Sequence, residues 1–284
     1  MKTKLTSRDI ALFVDIYNYR YLSVSQIERL HFPSKITTWR RLQALTELGC
    51  IKAFTVPTIP ERLFYLDKKG AEIVAIELQV DIEALAWHRH TKQPKDYYFL
   101  RHFMAINDFR ILLTKSCEKN PHTLIGFIAE YIGEKTKEGH VKKYIRDRIH
   151  EYSHTPDGVF SLEKDGKAAL FFLEIDRGIE IVSDPEKGFL KCIVFYLNYW
   201  TSQKWQRYQE DFGREFKAFR TLIVTTSKDR LTHMREAVTR LPFPQEYVKR
   251  FLWGTIQNEA TEDWILEPIW RSMDIHDPTL YTIG

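Results

Sequence analysis

The chain has 284 residues, 44% apolar and 28% charged. These proportions are ordinary for a folded protein and exclude a disordered chain, collagen and a coiled coil, and the length allows one large or two ordinary domains. The formal net charge is +4, but residues 1 to 70 hold 12 Lys/Arg against 6 Asp/Glu while the remainder is slightly acidic, a pattern that points to a polyanion-binding module joined to a near-neutral one, with plain surface solvation as the alternative.

In the opening "MKTKLTSRDIALF", Arg8 and Asp9 interrupt any signal-peptide apolar region. No later stretch nears the roughly 18 uncharged apolar residues of a membrane span, so a cytoplasmic protein without a membrane is expected. Three short helices come first. Thr6 with Asp9, and Ser23 with Gln26, have capping-box spacing and lead into apolar-periodic runs at Ile10, Phe13 and Ile16 and at Ile27 and Leu30. After Pro33 and Ser34, the positions Trp39, Leu42, Leu45 and Leu48 form one stripe of a third helix that Gly49 can close. A strand from Ile51 to Thr55, a proline-punctuated loop, a strand from Arg62 to Leu66 and a helix from about Asp67 to Leu78 follow.

Three helices followed by a β-hairpin resemble a winged helix-turn-helix. In such an arrangement the third helix enters the major groove with Lys35, Thr37, Thr38, Arg40, Arg41 and Ala44 facing outward, and Arg62 of the wing reaches phosphate or the minor groove. The plainer reading has Arg40 and Arg41 solvating an amphipathic helix.

The polar stretch "HRHTKQPKDYY", residues 88 to 98, reads as a linker, which gives a first domain over 1–90 and a second over 97–284. The second domain should contain a helix from Phe99 to Glu118, a strand from Thr123 to Tyr131, a helix from Pro185 to Tyr208, a strand from Phe219 to Thr225, a helix from Asp229 to Leu241 and a strand from Arg250 to Ile256. Helices and strands alternate around a mixed sheet, an α+β or α/β architecture. Asp165-Gly166 is the pair favoured in two-residue hairpin turns and joins strands Gly158 to Leu162 and Ala168 to Asp176. Side chains alternate along a strand, so Glu174 and Asp176 share a face and Asp157 begins the partner strand. Three carboxylates can then converge, which calls for a raised pKa, a basic neighbour or a divalent cation; a solvated hairpin end is the alternative.

Cys50, Cys117 and Cys192 lack CxxC spacing and are expected to be reduced and buried. The aromatics Tyr196, Tyr199, Trp200 and Trp205 suggest a packed core. His150 and His154 have helical spacing, but Pro156 follows and no HExxH exists, so solvated or core histidines are expected rather than a zinc pair. The chain has no GxGxxG or GxxxxGK[ST] loop.

"PDG" and "LEID", 17 residues apart from Asp157 to Glu174, resemble the PD-(D/E)XK nuclease core, in which an Asp and a Glu on adjacent strands hold magnesium. More of the chain resembles the replication-relaxation family of plasmids and mobile elements: the N-terminal winged helix, "RHFMAINDFRILL", "PDGVFSL", "FFLEIDRG", and the lysine and tyrosine of "LKCIVFYLNYW", in that order over about residues 5 to 200. The resemblance implies a C-terminal PD-(D/E)XK nuclease-like domain. Asp157 and Glu174 would hold Mg²⁺, with Asp108 as a third acid. The pattern wants lysine where Asp176 stands; an Asp cannot polarise water as a cation would, though it could bind metal or act as a base, and Lys191 is the candidate for a migrated cation. The implied function is binding of double-stranded DNA in replication or mobilisation, with Mg²⁺-dependent nicking at an origin or, alternatively, a non-catalytic regulator or accessory protein. Other replication or mobilisation proteins and a second copy of the chain are further candidate partners.

Overall fold

A computed structural model describes residues 4–85, 87, 97–135, 141–182, 184 and 188–284. The chain forms two compact units, Met1–Ile111 and Leu112–Gly284, which together make a mixed α+β protein. Among the described residues no helix is long and apolar enough to cross a membrane.

The first unit begins with α1 (Ser7–Tyr19), a two-residue strand β1 (Leu22–Ser23), α2 (Val24–His31) and α3 (Lys35–Glu47). Both capping boxes form: Thr6 and Asp9 bond each other's backbone N–H, as do Ser23 and Gln26, which satisfies donors that a helix start leaves unpaired. Strands β2 (Ile51–Val56) and β3 (Ile59–Leu66) follow, then α4 (Lys68–Glu77). The strand order is β1-β3-β2. The expected loop between the strands is a tight turn instead, and Pro60 lies inside β3. Pro60 is tolerated because β1 pairs with β3 only at Leu63 and Phe64, so the start of β3 has a free edge where a missing N–H costs little. Leu12, Phe13, Leu42, Leu45, Ile51 and Ile111 belong to the core of this unit.

Helix α5 (Tyr97–Lys119) crosses the division between the units. The linker expected at 88–98 lies mostly outside the described residues. The helix expected to open the second domain gives its first part to the first unit: Asn107 donates to the carbonyls of Tyr19 and Tyr21, and Arg110 to that of Asn18.

The second unit continues with β4 (Thr123–Ala129), two small hairpins, β5 (Gly133–Lys135) with β6 (Val141–Lys143) and β7 (Asp147–Ile149) with β8 (Tyr152–His154), and the long hairpin β9 (Gly158–Lys164) and β10 (Lys167–Ile175). After them come α6 (Gly188–Ser202), α7 (Tyr208–Phe212), β11 (Phe219–Thr225), α8 (Lys228–Thr239), α9 (Gln245–Phe251), β12 (Leu252–Ile256), β13 (Trp270–Ser272) and β14 (Leu280–Tyr281). Seven strands form one mixed sheet in the order β14-β13-β12-β11-β10-β9-β4, with β10, β11 and β12 parallel to one another. The expected helix 185 to 208 stops at Ser202, because Gln203 is left-handed at φ 56° and lets Trp205 stack on Trp200.

β10 is buried at four consecutive positions, Leu170 to Leu173, which explains a run of Leu and Phe without polar alternation: both faces are covered. Phe171 stacks on Phe160 on one face. On the other, Phe172 meets Tyr196 and Tyr199 of α6, Tyr208 of α7 and Phe219 of β11. Phe172→Ala removes this shared contact and should cost about 3–5 kcal/mol in chemical denaturation.

Candidate functional site

Two surfaces carry the polar groups of interest, one in each unit. In the first, Ser34 caps α3 by accepting from the Thr37 N–H. Lys35, Ile36, Thr37, Arg40 and Gln43 are exposed. Arg62 of β3 lies 5.2 Å above the Trp39 ring, and a groove lined by Val24, Lys35, Trp39, Pro60, Glu61 and Arg62 runs between helix and hairpin. Two of the expected outward residues are turned inward. Thr38 is fully buried and donates to the Ser34 carbonyl at 2.9 Å, which closes the first turn rather than presenting a hydroxyl. Arg41 forks onto the buried Asp9: its Nε lies 2.7 Å from Oδ1 and its Nη2 also bonds Oδ2. Burial works against the Asp9 carboxylate, but Arg41 and Thr6 outweigh it and hold its pKa below the ordinary value.

In the second unit the hairpin turn has both Asp165 and Gly166 at positive φ, 51° and 70°, the conformation of a type I′ turn that this dipeptide favours. It sets Leu173 opposite Gly158. Just beyond that last pair, the Asp157 N–H bonds the Leu173 carbonyl, which puts Asp157 beside the end of β10. The Asp157 carboxylate accepts from the Ile175 N–H at 2.6 Å, and the Phe127 ring packs so closely on Gly158 that a Cβ there would stand 2.5 Å from it.

Glu174 faces α6, as Phe172 does two residues earlier. Its Oε1 lies 2.7 Å from Nε2 of His154 at the end of β8 and accepts from the Tyr196 hydroxyl. Cys192, one turn before Tyr196, brings its Sγ to 3.5 Å from the same His154 nitrogen. Burial opposes the charged imidazole, yet Glu174, with Asp157 and Glu180 behind it, holds the His154 pKa above its ordinary value. Burial, with Glu174 and Asp157 beside them, pushes the Cys192 thiol and the Tyr196 phenol well above theirs. Among the described residues, His154, Glu174 and Cys192 form a group whose potential metal-binding atoms all lie within 4.8 Å of one another.

The remaining expected site residues are placed elsewhere. Asp176 is an anchor rather than a base or ligand: its oxygens accept from Thr225 Oγ1 at 2.5 Å, from Arg230 Nε and Nη2 at 3.0 and 2.8 Å, and from the Gly178 N–H at 3.2 Å. Four bonds fill the roughly four acceptor positions of a carboxylate. Arg230 is aimed there because Ser227 caps α8 on the Arg230 N–H. Lys191 is exposed, one residue before Cys192. Asp108 belongs to the first unit, where Gln26 donates to it at 2.9 Å and Arg29 pairs with it at 3.5 Å. Asp157 and Glu174 supply the one or two carboxylates that Mg²⁺ usually takes, but an imidazole and a thiol are poor company for a hard cation.

His154, Cys192 and Arg230 were not legible as site residues. Cys192 stands inside "LKCIVFYLNYW" with no second cysteine at metal-ligand spacing, and His154 sits at the end of a three-residue strand that has no pattern of its own.

A basic helix-and-hairpin unit followed by a mixed sheet with paired carboxylates on its central hairpin defines the class: an α+β protein with two polar surfaces, one in each unit. The replication-relaxation family model matches residues 13–214, more than half of the chain. The chain belongs to the replication-relaxation family, which suggests a role in plasmid or mobile-element replication or relaxation. No curated protein and no solved structure matches it.

Two variants test these assignments. Arg41→Met leaves Asp9 buried without its partner and should destabilise the first unit by about 3 kcal/mol. Because the Asp9 pKa is depressed on folding, its contribution is present above the unfolded value of about 3.9 and is lost as pH falls through the folded value; denaturation curves of the variant should show less of this loss in acid. Arg230→Met should cost about 3–5 kcal/mol by stranding Asp176, measured by the same method.

Proposed function

We propose that the chain binds double-stranded DNA through α3 and the β2–β3 hairpin, as a winged helix-turn-helix, and serves as a replication accessory protein or regulator whose second unit is nuclease-like without the cleaving cation. The observation that carries this reading is the exposed row Lys35, Thr37 and Arg40 with Arg62 beside it, held over Trp39. Lys and Arg neutralise phosphates, Arg can fork onto guanine, and the exposed Ile36 offers an apolar contact for a thymine methyl. On the second unit, the position that needs a lysine holds the saturated Asp176.

A second reading is favoured by one observation, the placement of Asp157 beside the end of β10 that carries Glu174. These two would hold Mg²⁺, which would neutralise developing charge and position a water for strand cleavage.

Lys35→Ala, Arg40→Ala and Arg62→Ala should each weaken duplex binding and lower the salt slope by about 1, with Arg40→Ala costing about 1–3 kcal/mol where it reads a base. Wild-type affinity in the triple variant would remove α3 as the reader. Supercoiled DNA carrying the element's origin separates the two readings: binding without nicking in Mg²⁺ or Mn²⁺ leaves the accessory protein, whereas nicking that Glu174→Ala abolishes, with binding retained, establishes the nuclease.

A further inference from the structure

We infer that His154, Glu174 and Cys192 form a binding site for one divalent ion of the zinc class. They come from three elements, the end of β8, the end of β10 and the second turn of α6, and they converge on one partly buried point. An imidazole nitrogen, a carboxylate oxygen and a sulfur are the donor types that zinc combines, whereas Mg²⁺ and Ca²⁺ take oxygen alone. The spacing agrees. With zinc at about 2.0–2.1 Å from nitrogen and about 2.3 Å from sulfur, a tetrahedral edge between them is about 3.5 Å, and the Cys192 Sγ to His154 Nε2 distance is 3.5 Å. The Glu174 to His154 distance of 2.7 Å is that of a hydrogen bond, which the ion would replace by opening that edge to about 3.3 Å.

Charge agrees as well. On binding, the Cys192 thiol gives its proton to solvent; thiolate and carboxylate then neutralise the ion, and neutral His154 completes three protein ligands with the fourth position left to water. The Tyr196 hydroxyl already donates to Glu174 and holds that carboxylate in place, as partners of metal-bound groups commonly do. The site stands independently of DNA binding, since none of its residues belongs to the basic face of α3.

The test uses the full chain without DNA, stripped by chelator and titrated with Co²⁺ and then Zn²⁺. One Co²⁺ per chain should bind with the near-ultraviolet charge-transfer band of a thiolate ligand and the intense visible bands of a tetrahedral site, and one equivalent of Zn²⁺ should displace it. Cys192→Ser should remove the charge-transfer band, and His154→Gln should weaken Zn²⁺ binding at least ~100-fold, while Cys117→Ser leaves both unchanged. Should either site variant fail to fold, the wild-type spectrum together with the Cys117→Ser control still decides. No bound Co²⁺, a spectrum without the thiolate band, a band lost in Cys117→Ser, or wild-type Zn²⁺ affinity in Cys192→Ser and His154→Gln would each overturn the site.

Discussion

The two-residue turn at Asp165-Gly166 governs the second unit, because it fixes how β9 pairs with β10. Both turn residues adopt positive φ, which Gly accepts without strain and Asp more readily than most residues. The register that follows puts Leu173 opposite Gly158 and so brings Asp157 beside the end of β10 that carries Glu174. A slip of one residue would turn Glu174 away from α6 and send Phe172 to the other face. Turn, core and carboxylate pair are thus one constraint, and the hydrophobic cost of moving Phe172 protects the polar geometry at the strand's end.

The same strand shows how two acids two residues apart acquire different chemistry. Glu174 is still within β10 and faces α6, where it meets an imidazole, a thiol and a phenol. Asp176 lies just beyond the strand, where the chain follows β11 through the bond from its N–H to the Val224 carbonyl. Thr225 and Arg230 reach it there. An arginine fork on a buried carboxylate satisfies both charges and fixes the start of α8 against the sheet. Asp176 therefore carries structure in this chain.

A parallel division occurs in the first unit between two adjacent arginines. Successive residues of a helix point about 100° apart, so Arg40 stands in solvent while Arg41 turns to Asp9. Asp9 is also the partner of Thr6 in the capping box of α1. One carboxylate thereby caps the first helix and ties the third to it, which holds the exposed row of α3 at a defined angle to the core of its own unit.

Elements set by local chemistry were legible from the amino acids alone. The two capping boxes, the stripe of α3, the Asp-Gly turn and the buried Phe219 strand all follow from spacings of a few residues, where backbone hydrogen bonding and side-chain periodicity decide the outcome. Family membership was legible for the same reason, in short motifs kept in order. What the tertiary structure decided depends on partners distant in sequence: that Arg41 belongs to Asp9, that Asp108 bonds Gln26 and Arg29, that Asp176 is claimed by Arg230, 54 residues away, and that His154 and Cys192 meet at Glu174. Helix α9, the small hairpins and the strands after residue 256 escaped for a related reason, since short elements are stabilised by what they pack against rather than by their own periodicity. Residue types declare which groups can pair; only packing, which trades burial against the cost of unpaired charge, decides which of them do.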